Sequence, residues 1–89
     1  MQIQFDDSKD AENLRRHGVS LAYAAHLCWD VAIVWIDDRF DYDELRMRAL
    51  VPADSVLYYV AFVDRDDLRR IISLRRASRK EVNSYVKNF

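Results

Sequence analysis

Residues 56–63 read VLYYVAFV, eight consecutive aliphatic or aromatic positions. A strand solvated on one face alternates polar and apolar side chains. An unbroken apolar run of this length predicts a strand covered on both faces. Turn-forming clusters bound it on either side, PADS at Pro52–Ser55 and DRDD at Asp64–Asp67.

The flanking segments assemble around this central strand. LRMRALV (Leu45–Val51) alternates, with Arg46 and Arg48 on the opposite face from Leu45, Met47 and Ala49. LRRIISLR (Leu68–Arg75) follows as a further strand, and AIVWID (Ala32–Asp37) precedes, across the polar turn DRFDYDE. Connections this short predict a four-strand antiparallel meander.

Helices are expected at both ends. QIQF (Gln2–Phe5) alternates as a short strand, and Asp6 then caps a helix with Asp7 and Asp10 in its first turn. That helix, DSKDAENLRR, stops at His17-Gly18. Ser20 caps a second, SLAYAAHLCW, ending near Asp30. Ser78 and Glu81 form a capping-box pattern for the last, whose buried stripe is Val82, Tyr85 and Val86. The expected fold is α+β: a short N-terminal strand, two helices, the meander and a C-terminal helix, in one domain over 1–89. Helices would pack on one side of the sheet. The other side would carry Arg46, Arg48 and some last-strand arginines.

Composition narrows the function classes. Half the residues are hydrophobic, ample for a core, and no apolar run approaches the roughly 20 residues of a membrane helix. The polar start MQIQFDDSKD does not read as a signal peptide, and the single Cys28 excludes an intrachain disulfide. A cytoplasmic protein is expected. Net charge is −1, which argues against nonspecific coating of nucleic acid, but the charge is unevenly distributed. Residues 1–44 carry ten acids against four bases, and residues 45–89 ten bases against five acids. Such a separation can steer one face toward an anion.

His26 and Cys28 lie two apart on a helix and point apart, so no metal site or cofactor is expected. The only glycine, Gly18, leaves no phosphate-cradling loop, and no nucleophile elbow is present. What remains is charged and phenolic: Lys9, His17, Asp38, Arg39, Tyr42, Glu44, Arg46, Arg75 and Tyr85. Cleaving RNA without a metal needs a base for the 2′-hydroxyl, an acid for the 5′-oxygen and cations for the phosphorane. Glu or His suits the base, His, Lys or Tyr the acid, and Arg binds phosphate in bidentate fashion.

Three boxes in order sharpen this. F-D-x-x-K-x-x-x-N-L-R-R-H-G-V runs from Phe5 to Val19; Asp38-Arg39, Asp41-Tyr42, Glu44 and Arg46 follow; then come Arg70-Ile71-Ile72-Ser73, Arg75, Ala77, Glu81 and Tyr85. On these boxes the chain resembles the BrnT family, toxins of type II toxin–antitoxin operons with a RelE-like ribonuclease fold. It departs at Phe5, Val31, Asp43, the Val51–Asp54 stretch and Leu74, where the family has Trp, Pro, Gly, glycines and Ala. No charged motif residue is lost.

The resemblance implies a metal-independent endoribonuclease that inhibits translation. A BrnA-like antitoxin would neutralise it, and operator DNA would be met only through that antitoxin. Lys9, His17, Glu44, Arg46 and Arg75 are the expected catalytic residues, with base and acid left open between Glu44 and His17. Arg39, Arg48, Arg70 and Tyr85 are the expected RNA contacts. Each has a plainer role open to it: Lys9 as a solvated helix lysine, His17 as a helix-end cation, Glu44 and Arg46 as salt-bridge partners on one strand face, Tyr85 as a packing residue. Strict alternation puts Arg75 and Arg70 on opposite faces, with Arg75 toward the site. A catalytically degenerate module that binds antitoxin as a co-repressor is the alternative; a small adaptor domain is a third.

Overall fold

The computed structural model describes residues 1–88. The chain runs β1 (Gln2–Gln4), α1 (Asp7–His17), two 3-10 turns (Leu21–His26 and Trp29–Val31), β2 (Ile33–Ile36), β3 (Met47–Ala53), β4 (Val56–Arg65), β5 (Leu68–Arg76) and α2 (Arg79–Lys87). The strand order is β1-β5-β4-β3-β2. β4 is thus the middle strand, and Tyr58 to Val63 are buried throughout, as the unbroken apolar run requires. β2 to β5 pair antiparallel in succession. β1 adds to the far edge in parallel with β5, so the whole is a five-stranded mixed sheet rather than a meander alone.

Local signals fixed the helix ends. The Asp6 carboxylate accepts from the Ser8 and Lys9 amides, and Gly18 (φ 73°) closes α1 with its N–H on the Leu14 carbonyl. The segment expected as a second helix is broken in two. The Cys28 N–H is drawn to the Pro52 carbonyl of β3, and the Trp29 indole N–H turns back to the Ala24 carbonyl. Pro52 is tolerated within β3 because β2 pairs only as far as Leu50, leaving a local edge. The β3–β4 hairpin turns through Asp54 (φ 49°) and Ser55 (φ 67°), left-handed conformations that glycine adopts more readily.

Two layers cover the sheet. On one face Leu21, Ala24 and Leu27 pack with Val51, Val60, Phe62, Ile71 and Leu74. On the other, Leu50, Tyr59 and Ala61 form a smaller cluster joined by Trp35, Leu57, Ile72, Ala77 and Tyr85. The helices therefore do not share a side. α2 lies on the second face, because Ala77 donates its N–H to Leu57 and the Tyr85 hydroxyl bonds the Val31 carbonyl at 2.8 Å. Asn13 reaches from α1 to the edge of β5 beyond the end of β1. Its amide donates to the Leu74 carbonyl (2.8 Å), accepts from the Leu74 N–H (3.2 Å) and donates to the Val19 carbonyl (2.9 Å). It satisfies the edge as a strand would. At the opposite edge, Val34 and Ile36 of β2 are exposed together with Val31, Phe40 and Leu45.

Candidate active site

β5 is not regular. Tyr59 pairs with Arg75, Ala61 with Ser73, and then Phe62 with Ile71, so Ile72 is an extra residue bulged from the ladder. The bulge shifts the alternation by one. Ile71 and Leu74 both enter the larger core, while Arg70 and Arg75 come out on the same face, opposite α1's layer. Strict alternation had separated these two arginines, and the bulge corrects that expectation.

Two grooves meet on this side of the molecule. One, of about 330 Å³, is lined by Lys9 of α1, Tyr42, Asp43, Glu44 and Arg46 of the polar loop, Val63 of β4, and Arg70 and Ile72 of β5. The other, also about 330 Å³, is lined by Lys9, Glu12, Asn13, Arg16, His17 and Ile72. Lys9 and Ile72 belong to both, so the pair forms one trough with three cations and two carboxylates, Asp43 and Glu44, at one end and His17 with Arg16 and Glu12 at the other.

The loop carrying Glu44 and Arg46 is held from below. Asp37, its side chain fully buried, takes Arg39 in a bidentate pair (2.8 and 2.9 Å) and the Tyr42 hydroxyl at 3.1 Å. The Arg39 guanidinium holds the Asp37 carboxyl far below the usual carboxylate range, against the opposing effect of burial. Arg39 is raised in turn by Asp37. Tyr42, so fixed, presents its ring to the Arg46 guanidinium at 4.1 Å. The Asp37 N–H also bonds the Arg46 carbonyl at 2.8 Å, prolonging the β2–β3 ladder to the groove.

Arginines and aromatic rings interleave over the rest of the face. Arg48 lies over Trp35 and Tyr59 (5.3 and 5.4 Å) and donates to the Tyr59 hydroxyl at 3.1 Å. Arg75 lies over the Tyr59 ring at 4.1 Å. Its guanidinium forks onto Glu81 at 2.8 and 3.0 Å, which lowers the Glu81 pKa and raises its own. Stacked guanidinium and aromatic faces are general platforms for bases and phosphates.

The expected site residues therefore fall into three groups. Lys9, Glu44, Arg46 and Arg70 share one groove, and His17 shares the adjoining one. Arg39, Arg48 and Arg75 belong to the surrounding arginine–aromatic face, none of them lining the trough. Tyr85 packs against the second cluster with its hydroxyl on Val31. Sequence reasoning missed Arg65, which pairs with Glu44, and gave no role to Asp37 or Asn13. The Asp37–Arg39–Tyr42 spacing around an apolar strand end was a usable sign of a buried carboxylate. Nothing in the sequence marks the Ile72 bulge.

The family description "ribonuclease toxin, BrnT, of type II toxin–antitoxin system" matches residues 5–81. The chain belongs to the BrnT family. The fold agrees: the crystal structure of the Brucella abortus ribonuclease toxin BrnT superposes with a TM-score of 0.67, at 24% identity, over 89% of this chain and 99% of that one. No curated protein matches in sequence. The BrnT match takes in every residue of the trough and ends at Glu81, so most of α2 lies beyond it. A toxin of a type II system implies an antitoxin partner. Among the described residues, no helix is long and apolar enough to cross a membrane.

Proposed function

We propose that this BrnT-family chain is a metal-independent endoribonuclease whose active site is the trough between α1, the Asp38–Arg46 loop and β5. The convergence of Lys9, Arg46 and Arg70 with Asp43 and Glu44 in one groove carries this reading. RNA is the substrate, and its loss would inhibit translation. Glu44 or His17 draws the proton from the 2′-hydroxyl, whose oxygen attacks the adjacent phosphorus. The three cations hold the phosphorane's extra charge. The bond to the 5′-oxygen breaks, and that oxygen takes a proton from the other of the pair. A 2′,3′-cyclic phosphate and a 5′-hydroxyl result. Arg39, Arg48 and Arg75 contact RNA beyond the cut, with bases stacking on the partly exposed Trp35 and Tyr42.

The antitoxin we propose is BrnA-like and binds the operator, the toxin reaching DNA only through it, in the cytoplasm. The exposed apolar strip of Val34 and Ile36 on the open edge of β2 supports a partner that adds a strand there. Incubating purified protein with RNA in EDTA tests the enzyme reading. Fragments ending in cyclic phosphate are expected, and RNA left intact overturns it.

One observation favours a second reading. The Glu44 carboxylate is engaged by Arg65, an arrangement that suits a binding module retaining the antitoxin surface without cleavage. Growth arrest on induced expression supports the enzyme; harmless expression with tight antitoxin binding supports the module.

A further inference from the structure

The outer face of α2 carries a charge pattern that neither the trough nor the fold explains. Arg79, Lys80, Asn83, Ser84 and Lys87 fall on one helical stripe and line an open groove of about 540 Å³. None of the three cations has an ion-pair partner in the described structure. The helix's one acid, Glu81, is spent on Arg75 and on the capping box with Ser78.

The placement opposes the helix itself. Cations in a first turn meet the positive end of the helix dipole, and Arg79 and Lys80 occupy the first two positions of α2. α1 in the same molecule does the reverse, with Asp7 and Asp10 first and Arg15, Arg16 and His17 last. General basicity is not the cause, since the chain carries a net −1. A local arrangement that works against its own element points to a function outside the fold. Three unpaired cations interspersed with amide and hydroxyl donors suit a line of phosphates better than a single anion.

We infer that the outer stripe of α2 is a second phosphate-tracking surface, binding the RNA backbone outside the cleavage trough. RNA is favoured over duplex DNA because α2 lies on the same sheet face as Arg70 and Arg75, joined to it through the Arg75–Glu81 pair. The inference rests on RNA being the ligand of that face.

The test is binding of the full chain to a fluorescein-labelled 2′-O-methyl RNA strand, which cannot undergo 2′-hydroxyl attack, across a salt series. Arg79→Gln/Lys80→Gln should lower the log–log salt slope by about 1.4, two phosphates at about 0.7 each. Affinity should fall roughly 25-fold at 0.1 M salt if the proteins converge at 1 M. Lys87→Gln should lower the slope by about half as much. The double substitution removes cations from a first turn, so its Tm should not fall. The loss should persist on an Arg46→Ala background, which separates this surface from the trough. An unchanged slope in both α2 variants overturns the inference, as does a change confined to duplex DNA. Failure to cleave ordinary RNA, with these slopes as expected, would count against the ribonuclease reading alone.

Discussion

Arg70 and Arg75 stand five residues apart on β5 yet emerge on the same face, because the Ile72 bulge between them absorbs one step of the alternation. Their surroundings differ. Arg70 lines the groove with Lys9 and Arg46, whereas Arg75 is clamped by Glu81 and stacked on Tyr59. Arg70→Ala should therefore weaken RNA binding and reduce its salt slope by about 0.7 with little change in Tm. Arg75→Ala should unlink β5 from α2, costing about 1 kcal/mol and lowering Tm by about 5 °C for a domain of this size. Thermal melts of the two variants side by side check this.

Asn13 is the least replaceable polar residue of the core. It is 5% exposed and serves the Leu74 N–H, the Leu74 carbonyl and the Val19 carbonyl at once. Asn13→Ala leaves these backbone groups without partners and should cost about 3 kcal/mol. Urea denaturation would show a lower midpoint with an unchanged slope.

The β3–β4 turn holds a reserve of stability. Ser55 sits at φ 67° and Asp54 at φ 49°, where a side chain is strained and glycine is not. Ser55→Gly should stabilise the protein by about 0.5 kcal/mol, the relief of strain exceeding the added entropy of the unfolded chain. A rise in Tm of a few degrees checks it; a fall would show that the turn is not strained.

Acid should destabilise the fold through two carboxylates. Arg39 depresses the pKa of Asp37, and Arg75 depresses that of Glu81. A depressed folded-state pKa contributes stability that is fully present above the unfolded values near 4 and is lost as pH falls through the folded ones. Asp37→Asn should cost about 2 kcal/mol at neutral pH and flatten the decline below about pH 4. Chemical denaturation across that range measures both.

What the sequence revealed was local. The VLYYVAFV run announced its central place, Asp6 and Gly18 marked the ends of α1, and Ser78 with Glu81 formed the capping box that was expected. These features depend on neighbours a few residues away. The parallel docking of β1 on β5 joins residues more than sixty apart, and no local pattern encodes it. The bulge at Ile72 likewise depends on how β4 and β5 align. The candidate groove was legible to the same degree. Lys9, Glu44, Arg46 and Arg70 were named from type and order and share a groove. Arg75 is expected in the catalytic set; its guanidinium lies outside the trough, where Glu81 of α2, on the same face of the sheet, engages it. Glu81 was read only as a capping residue, and it serves both tasks.

The central claim is that the trough shared by Lys9, Glu44, Arg46 and Arg70 is where RNA is cut. Single-turnover cleavage in EDTA, comparing wild type with Lys9→Ala and Arg46→Ala, tests it most directly. Lys9 is exposed and Arg46 partly so, so folding should be preserved. The account predicts that wild type cleaves, and that each variant slows by roughly 100-fold or more at unchanged Tm. Variants that cut as fast as wild type, or a wild type that leaves the RNA whole, would contradict it.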